Sequence, residues 1–274
     1  MRIACLPWYE LPETQAAQDS LWLVLAQHFH RHGVRDVPER LTRGLPVPGV
    51  FTDPRLLIGQ CCGYDVVYGF ASSVELIATP RYSALGCEGA NYRSLVLVRH
   101  DYKADSLDGL RGSVCAINSF NSHSGTNALR GLVAPLSRDG RFFSEVKVSG
   151  AHVNSLALLH TGEVDVMAMD CVLYALLSRY RPGALEGTRV ICWSEPVPAP
   201  PFITSAATDH DLIARFPDVL TAALSDKSSQ APSGAMLLDG VEFLPMDAYS
   251  KICDMEEVAL RHGYKELHPT TPAI

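Results

Sequence analysis

Ten consecutive residues, Asn118-Ser119-Phe120-Asn121-Ser122-His123-Ser124-Gly125-Thr126-Asn127, carry the densest polar chemistry in the chain. A strand-like run, Ser113 to Ile117, precedes them, and a helical pattern from about Ser124 to Val133 follows. The first turn of a helix leaves backbone N–H groups without carbonyl partners and carries a partial positive charge, so polar side chains placed there form a cradle for an oxyanion. Ser122, Ser124 and Thr126 supply hydroxyls, His123 an imidazole and Asn118 an amide, and Gly125 lets a ligand approach the backbone. Helix capping is the competing account, but a cap needs only one Ser or Asn. Three hydroxyls, three amides or imidazoles and a glycine between Phe120 and Asn127 exceed that need.

The elements around this loop read as alternating strands and helices, which predicts an α/β fold with mainly parallel strands and no internal repeat. Arg2 to Leu6 is the first expected strand, followed by a helix from Thr14 to His32 that Gly33 closes. Further strands are expected at Leu56–Ile58, Val74–Ala78, Ser94–Arg99, Val146–Val148, Val164–Met169, Val190–Trp193 and Phe202–Ser205. A helix is expected over Ser155–His160, with Gly162 at its C-terminus. Two late helices fall at about Asp209–Leu224, with Pro217 kinking or breaking it, and Asp247–His262. The prolines at 196, 198, 200 and 201 read as a stiff crossing between lobes. Asp170 comes at the C-terminal end of a strand, the edge where open α/β sheets gather ligands.

Composition bounds the rest. In 274 residues there are 23 Lys plus Arg against 30 Asp plus Glu, a formal charge of -7, with no cluster of basic residues. Nucleic acid and anionic membrane are therefore excluded as general partners, while a local set of donors still allows a small anionic ligand. Acidic residues interrupt each long apolar stretch, so neither a transmembrane helix nor direct membrane insertion is expected. The start Met1-Arg2-Ile3-Ala4-Cys5-Leu6-Pro7 lacks the apolar run and cleavage site of an export signal. A cytoplasmic location follows if Met1 is the native start. Eight cysteines, mostly in apolar runs, read as free buried thiols, and no zinc-type spacing is present, so no cofactor or metal is expected.

With these residues in place, the chain resembles the phosphonate/phosphate-type solute-binding proteins of ABC transporters, which have the type II periplasmic-binding-protein fold. Ser122-His123-Ser124-Gly125 is similar to their Ser-rich loop ending in Ser-Gly, with His123 where a hydroxyl residue is usual. Gln60-Cys61-Cys62-Gly63-Tyr64 resembles the first-lobe ligand loop, and Tyr92-Arg93-Ser94-Leu95-Val96-Leu97-Val98-Arg99 the outgoing hinge strand. Gly150 to Ser155 resembles the second-lobe loop, and Gly162 to Asp170 the Gly-x-x-Asp-x-x-x-x-Asp passage.

The resemblance implies two α/β lobes, each a mainly parallel sheet flanked by helices, joined by two crossings with a ligand cleft between them. Lobe one would comprise 1–93 plus 200–274, and lobe two 94–199. It implies that Asn118, Ser119, Ser122, His123, Ser124, Gly125 and Thr126 hold the anion. Trp8, Tyr9, Cys61, Tyr64 and Tyr92 would cover the rest of the ligand. Asp170 would face a ligand amine, or be satisfied by nearby N–H groups. His123 and His152 would donate to the anion, becoming protonated beside a dianion. The implied location is periplasmic and the implied partners are a small anionic ligand and the transporter's membrane subunits. A cytoplasmic enzyme of the same fold, similar to chorismate dehydratase and using Cys61 or Cys171 with His152, is the alternative. A ligand-sensing module is a third reading, for which the chain carries no signalling domain.

Overall fold

The computed structural model describes residues 2–267, so Met1 and residues 268–274 of the expected first lobe lie outside the described residues. In chain order the first elements are β1 (Ile3–Cys5), α1 (Gln15–Arg31), α2 (Val47–Phe51), β2 (Leu56–Gln60) and β3 (Val74–Tyr82). Next come β4 (Asn91–Tyr92), β5 (Ser94–Arg99), β6 (Val114–Ile117), α3 (Ala128–Val133), β7 (Glu145–Val148), α4 (His152–Thr161), β8 (Val166–Asp170), α5 (Cys171–Tyr180) and β9 (Thr188–Trp193). The chain ends through β10 (Val197–Pro198), β11 (Phe202–Ser205), α6 (His210–Ile213), α7 (Phe216–Ser225), α8 (Lys227–Ala235), β12 (Leu238–Glu242) and α9 (Ser250–Arg261).

Two compact units result, one from residues 1–91 and 198–249, the other from 92–197 and 250–274. Unit one is built on the sheet β1-β2-β11-β3-β12. Only β1 and β2 run parallel; β11 is antiparallel to both β2 and β3, and β12 is antiparallel to β3. Unit two has the order β7-β6-β8-β5-β9, with β6 parallel to β7 and β8 while β5 runs antiparallel to β8 and β9. Both sheets are thus mixed rather than mainly parallel. The reversed interior strands, β11 and β5, are those that follow a crossing of the chain from one unit to the other.

Each unit has its own core. In unit one Ile3, Cys5, Phe51, Leu56, Cys61, Val66 and Ile203 pack together, and α1 carries Leu21, Trp22, Leu25 and Phe29 on its buried side. In unit two Val96, Cys115, Ile117, Leu129, Val133, Phe142, Phe143 and Ala168 form the centre. Every residue of β8 is buried, as befits an apolar strand covered on both faces.

One sequence expectation is met and one changes. The helix expected over Asp209–Leu224 is broken, as Pro217 implied, into α6 and α7, with Pro217 in the first turn of α7, where its missing N–H costs nothing. The segment after residue 249 belongs to unit two instead of the first lobe. Ala259, Tyr264 and Leu267 complete that unit's core, and the Arg130 guanidinium of α3 binds both Glu256 (2.9 Å) and the Lys265 carbonyl (2.8 Å). Three crossings, near 91, 197 and 249, therefore replace the expected two.

Candidate functional site

In unit two, β6, β7 and β8 all end at one sheet edge. Backbone bonds join the chain leaving β6 to that leaving β7: Ser149 N–H donates to the Ile117 carbonyl (2.8 Å) and Gly150 N–H to that of Asn118 (2.9 Å). The loop then enters a π-type turn, His123–Asn127, that leads directly into α3. Such wide turns recur at functional sites.

Within the loop the hydroxyls divide their work. Ser122 is the cap: its Oγ accepts from Gly125 N–H at 3.1 Å and its carbonyl from Asn127 N–H at 3.0 Å. Thr126 donates to the Ser119 carbonyl and ties the two ends of the loop. Ser124 does neither; its Oγ lies 2.9 Å from His152 Nε2, at the first residue of α4. The Asp170 carboxylate, at the end of β8, has Oδ2 3.7 Å from the same Nε2, while its Oδ1 accepts from Leu173 N–H (2.8 Å) and caps α5. Asp170 thus caps a helix with one oxygen, in line with its reading as a carboxylate satisfied by nearby N–H groups, and faces an imidazole with the other.

Gly125 is needed for a different reason from the one expected. A Cβ there would collide with the Asn118 side-chain carbonyl and come within 3.0 Å of His152 Cε1. The space beside this glycine is filled by the protein's own side chains, not kept open for a ligand.

With no anion beside them, burial favours the neutral form of both histidines. Burial pushes His123 down to about 3. It lowers His152 as well, and the nearby Asp170 carboxylate and Ala168 carbonyl offset only part of that. Neutral rings can still donate. The Asn127 Oδ1 accepts from Arg130 (2.7 Å), which fixes its Nδ2 toward the Ile252 carbonyl (3.0 Å) and His123 Nδ1 (3.3 Å). His123 Nδ1 is then the acceptor, and the hydrogen sits on Nε2, which is buried without a partner among the described residues. The Tyr92 ring packs beside His123, centroids 6.2 Å apart. Asn127 and its link to α9 were missed by the sequence reading; its only signal was its place in the polar run.

The Ser124–His152–Asp170 set is not a nucleophile-activating triad. A triad carboxylate binds the ring nitrogen opposite the one facing serine; here Ser124 and Asp170 approach the same nitrogen. What the cluster can do is present neutral hydrogen-bond donors from a rigid frame.

Of the expected first-lobe residues, Trp8 and Tyr9 lie in a turn fixed by α1 and the residue before it. Gln18 donates to the Leu6 and Trp8 carbonyls (3.2 Å each) and Thr14 to that of Tyr9 (2.8 Å). These bonds hold Tyr9 at φ +61, a left-handed conformation that side chains other than Gly and Asn resist. The Tyr9 ring packs edge-on against Tyr82 at 5.3 Å, and Trp8 lies against Phe51 at 6.2 Å. Tyr64 pairs with Tyr68 at 4.6 Å. Cys61 is fully enclosed in the unit-one core and burial holds its thiol well above the usual range, so it packs rather than meeting a ligand or acting as a thiolate. Cys171 is likewise buried, at the start of α5. Among the described residues, no group of three or more His, Cys, Asp or Glu is placed to hold a metal, and no helix is long and apolar enough to cross a membrane.

The family model described as "ABC transporter, phosphonate, periplasmic substrate-binding protein" matches residues 62–250, more than half of the chain. The chain belongs to this phosphonate substrate-binding family. No curated protein matches it. Solved structures confirm the family's two-lobed fold. A binding component of a phosphonate ABC transporter (PA3383) from Pseudomonas aeruginosa is 15% identical, with a TM-score of 0.75 over 96% of this chain and 88% of that one. PhnD1 from Prochlorococcus marinus, in complex with methylphosphonate, is 14% identical, with a TM-score of 0.72 over 94% and 97%. XAC2383 from Xanthomonas citri, bound to ATP, is 17% identical, with a TM-score of 0.68 over 91% and 95%. The family is one of periplasmic solute-binding components of ABC transporters.

Proposed function

We propose that this chain captures a small phosphonate or phosphate-type oxyanion outside the inner membrane and delivers it to the membrane subunits of an ABC uptake system, releasing it unchanged. The observation that carries the reading is the Ser124 hydroxyl, buried and held 2.9 Å from His152 Nε2 while Ser122 does the capping. Helix structure does not require a second serine at this point. In the tautomer with its hydrogen on Nε2, a neutral His152 would donate to Ser124 Oγ and leave the serine hydrogen for the ligand. His123 Nε2–H is the second donor. Ser119 and Thr126 brace the loop, and Tyr92 backs His123. Trp8, Tyr9 and Tyr64 remain the proposed unit-one contacts with the organic part of the ligand.

The test is calorimetric titration of the purified protein with methylphosphonate and inorganic phosphate, with mass analysis of the ligand afterwards. Saturable binding with the ligand recovered intact supports the reading. No binding, or a ligand that returns chemically altered, overturns it.

A further inference from the structure

Tyr9 stands at φ +61 in the turn that joins β1 to α1 of unit one. That region of backbone space suits glycine or asparagine and strains a bulky side chain. A turn needed only to connect a strand to a helix gains nothing from a tyrosine there. Strain of this kind persists only where surrounding bonds over-determine it, and such places cluster at sites that hold a ligand. Here the bonds are buried. Thr14, fully enclosed, donates to the Tyr9 carbonyl (2.8 Å) and accepts from Leu11 N–H (3.0 Å). Gln18, 3% exposed, gives its amide hydrogens to the Leu6 and Trp8 carbonyls (3.2 Å each). The direction of that amide is set from its other side: Arg43 Nη2 donates to Gln18 Oε1 at 3.5 Å, so the NH2 faces the turn. The same guanidinium binds Glu10, the residue after Tyr9, and Asp19 of α1 (2.7 Å). The turn is thus gripped both by its carbonyls and by the side chain that follows it. Its two rings rest on fixed partners, Trp8 on Phe51 and Tyr9 on Tyr82, whose hydroxyl accepts from Gln60 at the end of β2 (2.9 Å).

We propose that Gln18 and Arg43 are positioning residues for ligand selectivity: they keep the Trp8–Tyr9 turn in its strained form, the form in which its rings meet the organic group of a phosphonate. The inference rests on the reading that Trp8 and Tyr9 contact that group, and it adds what holds them in place. Both residues act through the turn. Freed of the brace, the turn relaxes, and only the fraction of molecules still in the strained form binds the organic group, so affinity falls by that fraction. Inorganic phosphate brings no organic group to the turn, and its affinity does not depend on the brace. The brace is therefore a device for preferring a phosphonate over phosphate.

Calorimetric titration of the whole protein with methylphosphonate and with inorganic phosphate reads this preference. Gln18→Met keeps the side-chain volume and removes both donors. It is expected to lower methylphosphonate affinity about tenfold, the scale set by the strain that one left-handed non-glycine residue stores, and to change phosphate affinity by less than about twofold. Arg43→Met, at a more exposed side chain, should shift the ratio of the two affinities in the same direction by a smaller factor, and it carries the test where Gln18→Met does not fold. Because the brace acts through the turn, Gln18→Met should cost nothing further in a Trp8→Ala protein. Equal losses for both ligands, which a merely structural role produces, overturn the inference. So does an unchanged methylphosphonate affinity, or a full additional loss on top of Trp8→Ala. Where phosphate does not bind the wild type, the cycle with Trp8→Ala decides alone. If Trp8→Ala binds methylphosphonate as the wild type does, the placing of the organic group at this turn fails, and this inference with it. A wild type that binds neither ligand instead overturns the anion-binding reading as a whole.

Discussion

Ser124 Oγ and His152 Nε2 stand 2.9 Å apart across 28 residues of sequence, and this contact connects the loop after β6 to the first residue of α4. It separates two serines that look equivalent in sequence. Ser122 stabilises the π-type turn by accepting from Gly125 N–H; Ser124 has no such backbone duty.

Ser122→Ala is therefore expected to cost about 1 kcal/mol of stability, the usual worth of a cap. Ser124→Ala should leave the melting temperature almost unchanged and weaken methylphosphonate binding by about tenfold or more, as for loss of a hydrogen bond to a charged group. Thermal melts and titrations of both variants check this. Equal melting losses would assign Ser124 to the fold. Alanine is the informative change because Ser124 is only 8% exposed, so a larger side chain would perturb packing as well as binding.

The His123 ring supplies a pH prediction. Its folded pKa, about 3, lies below the unfolded histidine value of about 6.5. The unfolded chain then binds more protons between these values, and stability must fall as pH drops from about 6.5 toward about 3. At pH 4.5 the expected loss from this group is on the order of 2 kcal/mol. His123→Leu should flatten that part of the profile. Urea midpoints of both proteins at pH 7.5 and 4.5 give the comparison; equal acid losses would mean that His123 does not stay neutral in the fold.

The polar run from Asn118 to Asn127 was legible because residue types alone mark a strand-to-helix loop dense in hydroxyls and amides. Most of the longer strands, and α1, α3, α4 and α9, followed from apolar periodicity, while α5 and β12 were not expected, and α4 ends at Gly162 with φ +74, as its glycine announces. The partners were not legible. Nothing in sequence says that the ring of His152 will reach Ser124, or that Asp170 will aim at the same nitrogen, because these contacts depend on how three strands end in space. Helix α8 escaped because Lys227–Ala235 is rich in Ser and contains Pro232, both poor helix signals that packing against α1 overrides. The strand directions escaped because the reversal of β5 and β11 is a property of chain crossings, which no local window records.

The same reasoning makes α9 a prediction about unit two. Ala259, Tyr264 and Leu267 are buried in that unit's core, and Asn127 and Arg130 bind the Ile252 carbonyl and the Glu256 carboxylate. A chain ending at Tyr249 should lose hydrogen-exchange protection in β6, α3 and the 118–127 loop while unit one keeps its own. Uniform loss across both units, or none, would contradict the division. Arg130→Ala should act in the same direction and more mildly, at about 2 kcal/mol for a mostly buried ion pair with one partner removed.

Asp65 lies at the start of a π-type turn in unit one, and burial alone raises its pKa to about 6. No hydrogen bond or ion pair to a described residue offsets that burial for its carboxylate, which is unusual for an acid. A folded pKa above the unfolded value of about 3.9 means that the group's protonated form is favoured by folding. Its contribution is complete below the unfolded pKa and is lost as pH rises through about 6. Asp65→Asn should therefore raise the melting temperature at pH 8 and leave it nearly unchanged at pH 4. Melts at these two pH values suffice, and a variant less stable than the wild type at pH 8 would show that the carboxylate is held by an attractive partner after all.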